Sequence, residues 1–389
     1  MDITVLVGTT KGVFLLESGP ERESWSLRGP FCDGWGINHV IGDPESGRIW
    51  AAGGGQWTGA GVWRSEDHGA SWEVSQLANG GANDWIAAHP EEAAQFGMEP
   101  APPAPFDGQV EALWSLGQAH GVLYAGAKPA TLLASRDGGE SWEEVSGLCA
   151  HETRESWQPG AAGLVLHTIV SDPEAAERLW VGISAAGVFA TEDGGASWER
   201  RVRLSNEGGG ADLASHPGHS HDPLAEEGTI GFCVHNMGRA TDGTLYQQNH
   251  HGVFRSADGG RSWRDVTAGL PSTFGFPIAV HPRDPQTIWT LPLNGDSIGR
   301  YPPEASAAVW RSRDGGESWE KCQHGLPKKD CFFTVLRQAM ATDRGTPAGV
   351  YFGTNSGSVF ASFDEGDSWN TIAEHLPTVL CVEVLDRST

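Results

Sequence analysis

The sequence predicts an all-β chain folded as a seven-bladed β-propeller, and three observations carry that expectation. A short phrase, (S/T)-x-D-x-G-x-S-W, recurs six times along the 389 residues. Successive phrase aspartates, Asp67, Asp137, Asp193, Asp258, Asp314 and Asp364, lie 70, 56, 65, 56 and 50 residues apart, a period that suits propeller blades. The two ends of the chain each hold part of one more blade, so six complete units and one shared unit make seven. A single domain over residues 1–389 accommodates them all.

The shared unit comes first. Thr4–Gly8, Gly12–Leu16 and Ser24-Trp25 read as a blade that lacks its first strand and carries a decayed phrase. The closing run Pro377–Leu385 reads as a strand that lacks a blade. Joining them closes the ring and removes exposed sheet edges. Counting the tryptophans at the phrase position, Trp25, Trp72, Trp142, Trp198, Trp263, Trp319 and Trp369, also gives seven.

Each phrase lies between two strand-like runs, such as Gly187–Ala190 and Trp198–Val202, which is a hairpin signal. Its aspartate can accept hydrogen bonds from turn amides, its glycine supplies positive φ at little cost, and its tryptophan buries a large ring beside the turn. A calcium loop would require oxygen donors at alternate positions. Gly, Ala, Arg or Phe stand there instead, so all six aspartates are expected to be structural.

Within each blade the first, channel-side strands are expected at Ile37–Gly42, Gln109–Leu116, Gly163–Val170, Gly231–Met237, Phe274–Val280, Phe332–Ala339 and Val379–Leu385. The second strands are expected at Arg48–Ala52, Leu123–Gly126, Leu179–Ile183, Leu245–Gln248, Thr287–Leu291 and Val350–Gly353. In an antiparallel meander the phrase turns share one face with the first-to-second turns. The longer connections, Val74–Asp107, Val145–Ala162, Arg203–Thr229 and Pro292–Ala308, fall on the other face. Elaborated loops on a rigid scaffold are where binding groups gather, so the functional site is expected at the channel mouth opposite the phrases.

Histidines collect at that mouth. His39, His167 and His235 stand near the ends of three first strands, His250 and His251 in a neighbouring turn, His151 in the loop of Trp157, and His216, His219 and His221 in a Gly-rich loop. Neutral imidazole is the commonest metal ligand, so His167, His235 and His250 are the candidate ligands for a transition metal (Zn, Fe or Cu), with no cofactor certain. His68, His89, His281, His324 and His375 fall at turns and are expected to be structural. A carbohydrate or small-molecule ligand would draw on Trp35, Trp57, Trp85 and Trp157 for stacking, with His39, His167, Gln248, His250, His251, Arg300 and Arg337 as further contacts. Glycosidase chemistry needs paired carboxylates; Asp84 and Glu111, with Asp222, Asp296 and Glu383, are available, and His235 is a candidate acid–base.

The phrase resembles the Asp-box, or BNR repeat, of sialidases, sortilin-type receptors, xyloglucanases and the photosystem II assembly factor. The segments Gly160–His167, Leu245–Phe254 and Phe274–Pro282 resemble more narrowly a group of bacterial Asp-box proteins described as sialidase-like or glycosyl-hydrolase-like. The resemblance implies the propeller, also described as WD40/YVTN-like, and a hydrolase of glycosidase type if the chain is an enzyme. A sialidase would carry three arginines around the substrate carboxylate and a Tyr–Glu pair. Arg300 and Arg337 offer two, no Arg-Ile-Pro stands near the N-terminus, and Tyr124 and Tyr246, half of the four tyrosines, read as buried. These departures argue against sialidase chemistry. The alternatives are a metalloenzyme (hydrolase, lyase or oxygenase) and a non-enzymatic platform for a protein or peptide partner.

Composition narrows the partners. The net charge is −24, with only five lysines, and an acidic surface repels phosphate backbones, so nucleic acid is not expected. No run approaches a membrane-spanning length. The start, Met1–Gly8, reads as a strand rather than a leader, so a cytoplasmic protein is expected. Cys32, Cys149, Cys233, Cys322, Cys331 and Cys381 have no CxxC spacing and are expected to be reduced core or turn thiols.

Overall fold

Seven four-stranded antiparallel sheets surround a central channel in a computed structural model that describes residues 2–157, 159–184, 186–201, 233–295 and 298–387. The first blade is shared by the termini as expected: Val379–Arg387 is its inner strand, followed outward by Asp2–Thr9, Gly12–Ser18 and Ser26–Phe31. Leu6 pairs with Glu383 and Val5 with Val384 across the join. Each inner strand lies against the next around the ring, and the seventh returns to the first. The bladed, all-β architecture is thereby closed without a free edge at the centre.

Several inner and second strands fall where hydrophobic runs place them. Ile37–Gly42, Leu245–Gln248 and Val350–Gly353 have the expected bounds, and others shift by a few residues, as with Ala112–Ala119 and Leu166–Asp172. The seventh blade is the exception. Phe332–Ala339 is not a strand; the inner strand is the short Met340–Thr342. The preceding backbone is committed elsewhere. Thr334 N–H donates to the Asn355 side chain at 2.8 Å, Asn355 N–H donates back to the Thr334 carbonyl at 2.9 Å, and Gln338 forms an isolated parallel bridge with Cys381. Hydrophobic content alone does not make a strand when its backbone groups are bonded to partners outside the sheet's ladder.

The long connection after Glu73–Ala78 also departs from a plain loop. It contains two helices, Gly81–Ala88 and Pro90–Gln95, before the chain enters the third blade. Among the described residues no helix is long and apolar enough to cross a membrane.

The repeated phrase forms the same turn six times. The first Ser or Thr hydroxyl accepts the glycine N–H at 2.7–2.9 Å in every copy. The aspartate accepts the later serine's hydroxyl at 2.5–2.7 Å. It also accepts that serine's amide at 2.8–3.0 Å. The phrase glycines have φ from 80° to 102°, a conformation that a Cβ would strain. The aspartates are therefore structural, as their setting in the sequence suggests.

These bonds carry a pH consequence. The Ser71 hydroxyl above all, then its amide and Ser65, draws the Asp67 carboxyl down to about 2, and Ser197 and Thr191 do the same for Asp193. A carboxyl whose folded pKa is depressed contributes stability above its unfolded value of about 3.9 and loses it as pH falls towards the folded value. We expect the unfolding temperature to fall between about pH 4 and about pH 2. Ser71→Ala and Ser197→Ala should flatten that fall, and an unchanged slope in both variants would refute the assignment.

Blades are also tied to one another through tryptophan. Trp50, Trp180 and Trp289, all on second strands, donate their indole N–H to the phrase turn of the following blade, at Gly138 (2.7 Å), Gly259 (2.8 Å) and Glu365 (2.9 Å). The rings are almost wholly buried, so each joint combines apolar burial with a satisfied donor. Tyr124 and Tyr246 are buried on second strands as expected, and the Tyr246 hydroxyl donates to the Pro285 carbonyl at 2.9 Å.

Candidate functional site

The first strands bring polar groups from several blades into a cavity of about 140 Å³ within the channel, lined by His39, His167, Asn236, Gln338 and Glu383 among others. His39 joins three blades. Its Nδ1 accepts the Leu116 N–H at 2.8 Å, and its Nε2 stands 3.3 Å from Glu383 Oε1. Because Nδ1 is an acceptor, Nε2 carries the proton and points it at the carboxylate. Asn236 donates to the Arg337 carbonyl at 2.8 Å, and Gln338 donates to the His167 carbonyl. His167 is buried, with Nδ1 3.0 Å from Thr168 Oγ1. Burial first, then the Arg337 charge, holds the His167 imidazole well below its ordinary pKa, so it is neutral.

A second cluster lies beside the fifth blade. His235 N–H donates to the Gln248 carbonyl at 2.9 Å, continuing the ladder of Asn236–Arg239 with Leu245–Gln248. Cys233 precedes it by two residues, and His250 follows the second strand. The Cys233 Sγ and one ring nitrogen each of His235 and His250 lie within 4.8 Å of one another. The two imidazoles meet at 4.4 Å between centroids. His235 directs Nδ1 at the Gly275 carbonyl, 2.5 Å away. Burial above all, then the neighbouring His250 and Arg337, keeps His235 neutral. The sequence singled out His167, His235 and His250; the structure groups Cys233 with the last two and leaves His167 in the channel cavity. The Cys-x-His spacing of Cys233 and His235 within the expected strand Gly231–Met237 would have been the signal, since residues two apart on a strand share a side.

Two arginines flank this cluster. The Arg337 guanidinium lies 4.9 Å from the Phe276 ring and that of Arg300 5.7 Å from the same ring. Burial lowers Arg337 to about 10, with Cys233 raising it and Arg300 lowering it, so it remains cationic at neutral pH. Arg300 has φ 56°, and its carbonyl accepts the Thr334 hydroxyl at 2.7 Å. Nearby, Tyr301 meets Phe332 edge to face at 5.1 Å, and Phe332 is 67% exposed. This aromatic pair was not anticipated from the sequence, because exposure depends on how the loops fold over each other.

Other expected contacts are placed differently. Trp157 is buried: its ring packs on Phe189 at 4.8 Å and its N–H donates to Thr153 at 2.9 Å, so it offers no face to a ligand. Gln248 is buried too, with its amide donating to the Asn249, Gly252 and Thr273 carbonyls and its oxygen accepting from Thr290. Asp84 is exposed on the Gly81–Ala88 helix, and Glu111 is exposed and ion-paired with Lys128 at 3.1 Å. Neither lines the cavity. Trp57 is 62% exposed in the turn before Gly59–Ser65; Trp35 packs edge-on to Trp63, and Trp85 stacks on His89. His251 lies 6.5 Å from His250, centroid to centroid. His216, His219, His221, Asp222 and Asp296, and the segment expected as the Arg203–Thr229 loop, lie outside the described residues. All six cysteines are thiols outside any disulfide.

No family model matches the chain. It is 24% identical over 222 residues to an oligoxyloglucan-reducing end-specific xyloglucanase of Emericella nidulans, a match covering 51% of this chain and 25% of the relative. The GH74 xyloglucanase from Xanthomonas campestris superposes with a TM-score of 0.58 at 17% identity, over 99% of this chain and 52% of that one. YCF48 from Cyanidioschyzon merolae superposes with a TM-score of 0.53 at 13% identity, over 86% and 84%. The chain thus spans a quarter of its curated relative and about half of the solved xyloglucanase. These likenesses to solved structures establish the propeller fold.

Proposed function

We propose that this chain is a carbohydrate-binding, glycoside-hydrolase-like propeller whose ligand lies across the loop-rich channel mouth. The observation that carries this reading is the set of aromatic side chains held out of the core on that face. Trp57 and Phe332 are each more than half exposed, and Tyr301 supports Phe332. Exposed rings suit the apolar faces of a carbohydrate ligand, and a polar channel cavity suits its hydroxyl edges. The xyloglucanase relative supports the same ligand class. Gln338 and Glu383, which line the cavity, would meet ligand hydroxyls there. Hydrolysis calls for two facing carboxylates; among the described residues Glu383 is the carboxylate that lines the cavity, so binding is the first property to measure.

A panel of neutral and acidic oligosaccharides, titrated by calorimetry and followed by reducing-end assay, tests the reading. At least one glycan should bind, and Trp57→Ala and Phe332→Ala should each weaken it roughly tenfold, about 1.4 kcal/mol. Failure of every glycan to bind would reject a carbohydrate ligand and favour a peptide-binding platform.

A further inference from the structure

We propose that Cys233, His235 and His250 form a transition-metal site beside the channel mouth, with zinc(II) as its occupant. The proposal stands apart from the carbohydrate reading and does not depend on it.

The local chain explains why these three meet. Cys233 and His235 stand two residues apart immediately before Asn236–Arg239, and the His235 N–H continues that strand's ladder by donating to the Gln248 carbonyl at 2.9 Å. Pairing of Asn236 with Gln248 sets the register that brings the end of Leu245–Gln248, and with it His250, alongside. The three candidate ligand atoms already lie within 4.8 Å of one another. A tetrahedral zinc with about 2.3 Å to sulfur and about 2.0–2.1 Å to nitrogen holds its ligands some 3.3–3.7 Å apart. Small side-chain rotations close that difference.

The surroundings fit a metal centre. The Gly275 carbonyl receives the His235 Nδ1–H, which leaves the Nε2 lone pair as the ligating one. A backbone carbonyl in this role fixes both the tautomer and the ring plane of a metal-binding imidazole. Phe274 and Phe276 wall the two imidazoles at centroid distances of 4.7–5.3 Å, an apolar shell that limits water access to the ion. One sulfur and two nitrogens select a borderline-soft ion over magnesium or calcium, which require oxygen donors. Among the described residues three protein ligands are present, which leaves a fourth position for water or a ligand, the arrangement of catalytic rather than structural zinc sites.

The test uses the full chain without an affinity tag, stripped with a chelator and reloaded with Zn(II) or Co(II). Elemental analysis should find about one zinc per chain, and cobalt should give a near-ultraviolet sulfur-to-metal band with intense four-coordinate ligand-field bands. Cys233→Ser should abolish the sulfur band and weaken zinc by tenfold or more. His235→Ala and His250→Ala should remove stoichiometric binding, with circular dichroism confirming that each variant is folded. His167→Ala should retain the metal. The proposal is overturned if the folded wild type takes up no stoichiometric metal or if cobalt binds without a sulfur band. It is equally overturned if binding is lost on replacing His216, His219 and His221 instead of the trio.

Discussion

Asp343→Ala should destabilise the protein by about 3–5 kcal/mol, the cost of stranding a buried charge. Asp343 follows the inner strand of the seventh blade and is fully buried. It accepts the Arg22 guanidinium at 2.9 Å, the Tyr351 hydroxyl at 2.7 Å, and the amides of Gly345 and Gly349 at 2.8 and 2.7 Å. Arg22 belongs to the first blade, between Gly12–Ser18 and Ser26–Phe31, and is itself almost buried. The pair therefore crosses the seam where the ring closes, beside a second crossing bond from Arg344 N–H to Asp386 at 2.9 Å. Removal of the carboxylate leaves a cation, a phenol and two amides without their acceptor. Against total stabilities of roughly 5–15 kcal/mol this is a large loss. The measurement is denaturant unfolding of Asp343→Ala, Arg22→Met and the double variant. The double should cost less than the sum of the singles, because neither charge is then stranded. Additive costs would show that the two residues do not act across the seam together.

Trp289→Ala should cost about 3–5 kcal/mol, through cavity formation and loss of an inter-blade hydrogen bond. The ring is wholly buried in the sixth blade, and its N–H reaches the Glu365 carbonyl in the phrase turn of the seventh. His281 stacks on it at 5.9 Å. Trp289→Phe retains most of the apolar contact, and the Glu365 carbonyl keeps the Arg311 guanidinium at 2.8 Å, so it should cost less, about 1–3 kcal/mol for the lost indole bond and the smaller ring. A Trp289→Ala variant that unfolds at the wild-type denaturant midpoint would contradict the joint. His281, by contrast, was expected to be a turn histidine and is one: its Nδ1 accepts the Arg283 and Asp284 amides.

How much of this was legible follows from how far apart the interacting residues stand. The phrase aspartates could be assigned from sequence because every partner lies within the eight-residue phrase, as Ser65, Ala70 and Ser71 surround Asp67. The terminal blade was legible because its missing strand and the unpaired closing run are complementary, and Val379–Arg387 does pair with Asp2–Thr9. The site was less legible. Trp157 and Gln248 had the residue type of ligand contacts, yet packing against Phe189 and bonding to three carbonyls consume them. Phe332 had the pattern of a core strand and is instead exposed.

The sequence by itself determined the number of blades, the turns that punctuate them and the closure of the ring, because local hydrogen bonds and alternating burial specify each of these within a few residues. Only the tertiary structure decided which polar groups share a space. His39 meets Glu383 from the far end of the chain, and Gln338 reaches His167 across the channel. Cys233 displaces His167 as the companion of His235 and His250. Those meetings depend on how the inner strands pack around a common axis, and sub-ångström placement between distant segments leaves no periodic trace along a single chain.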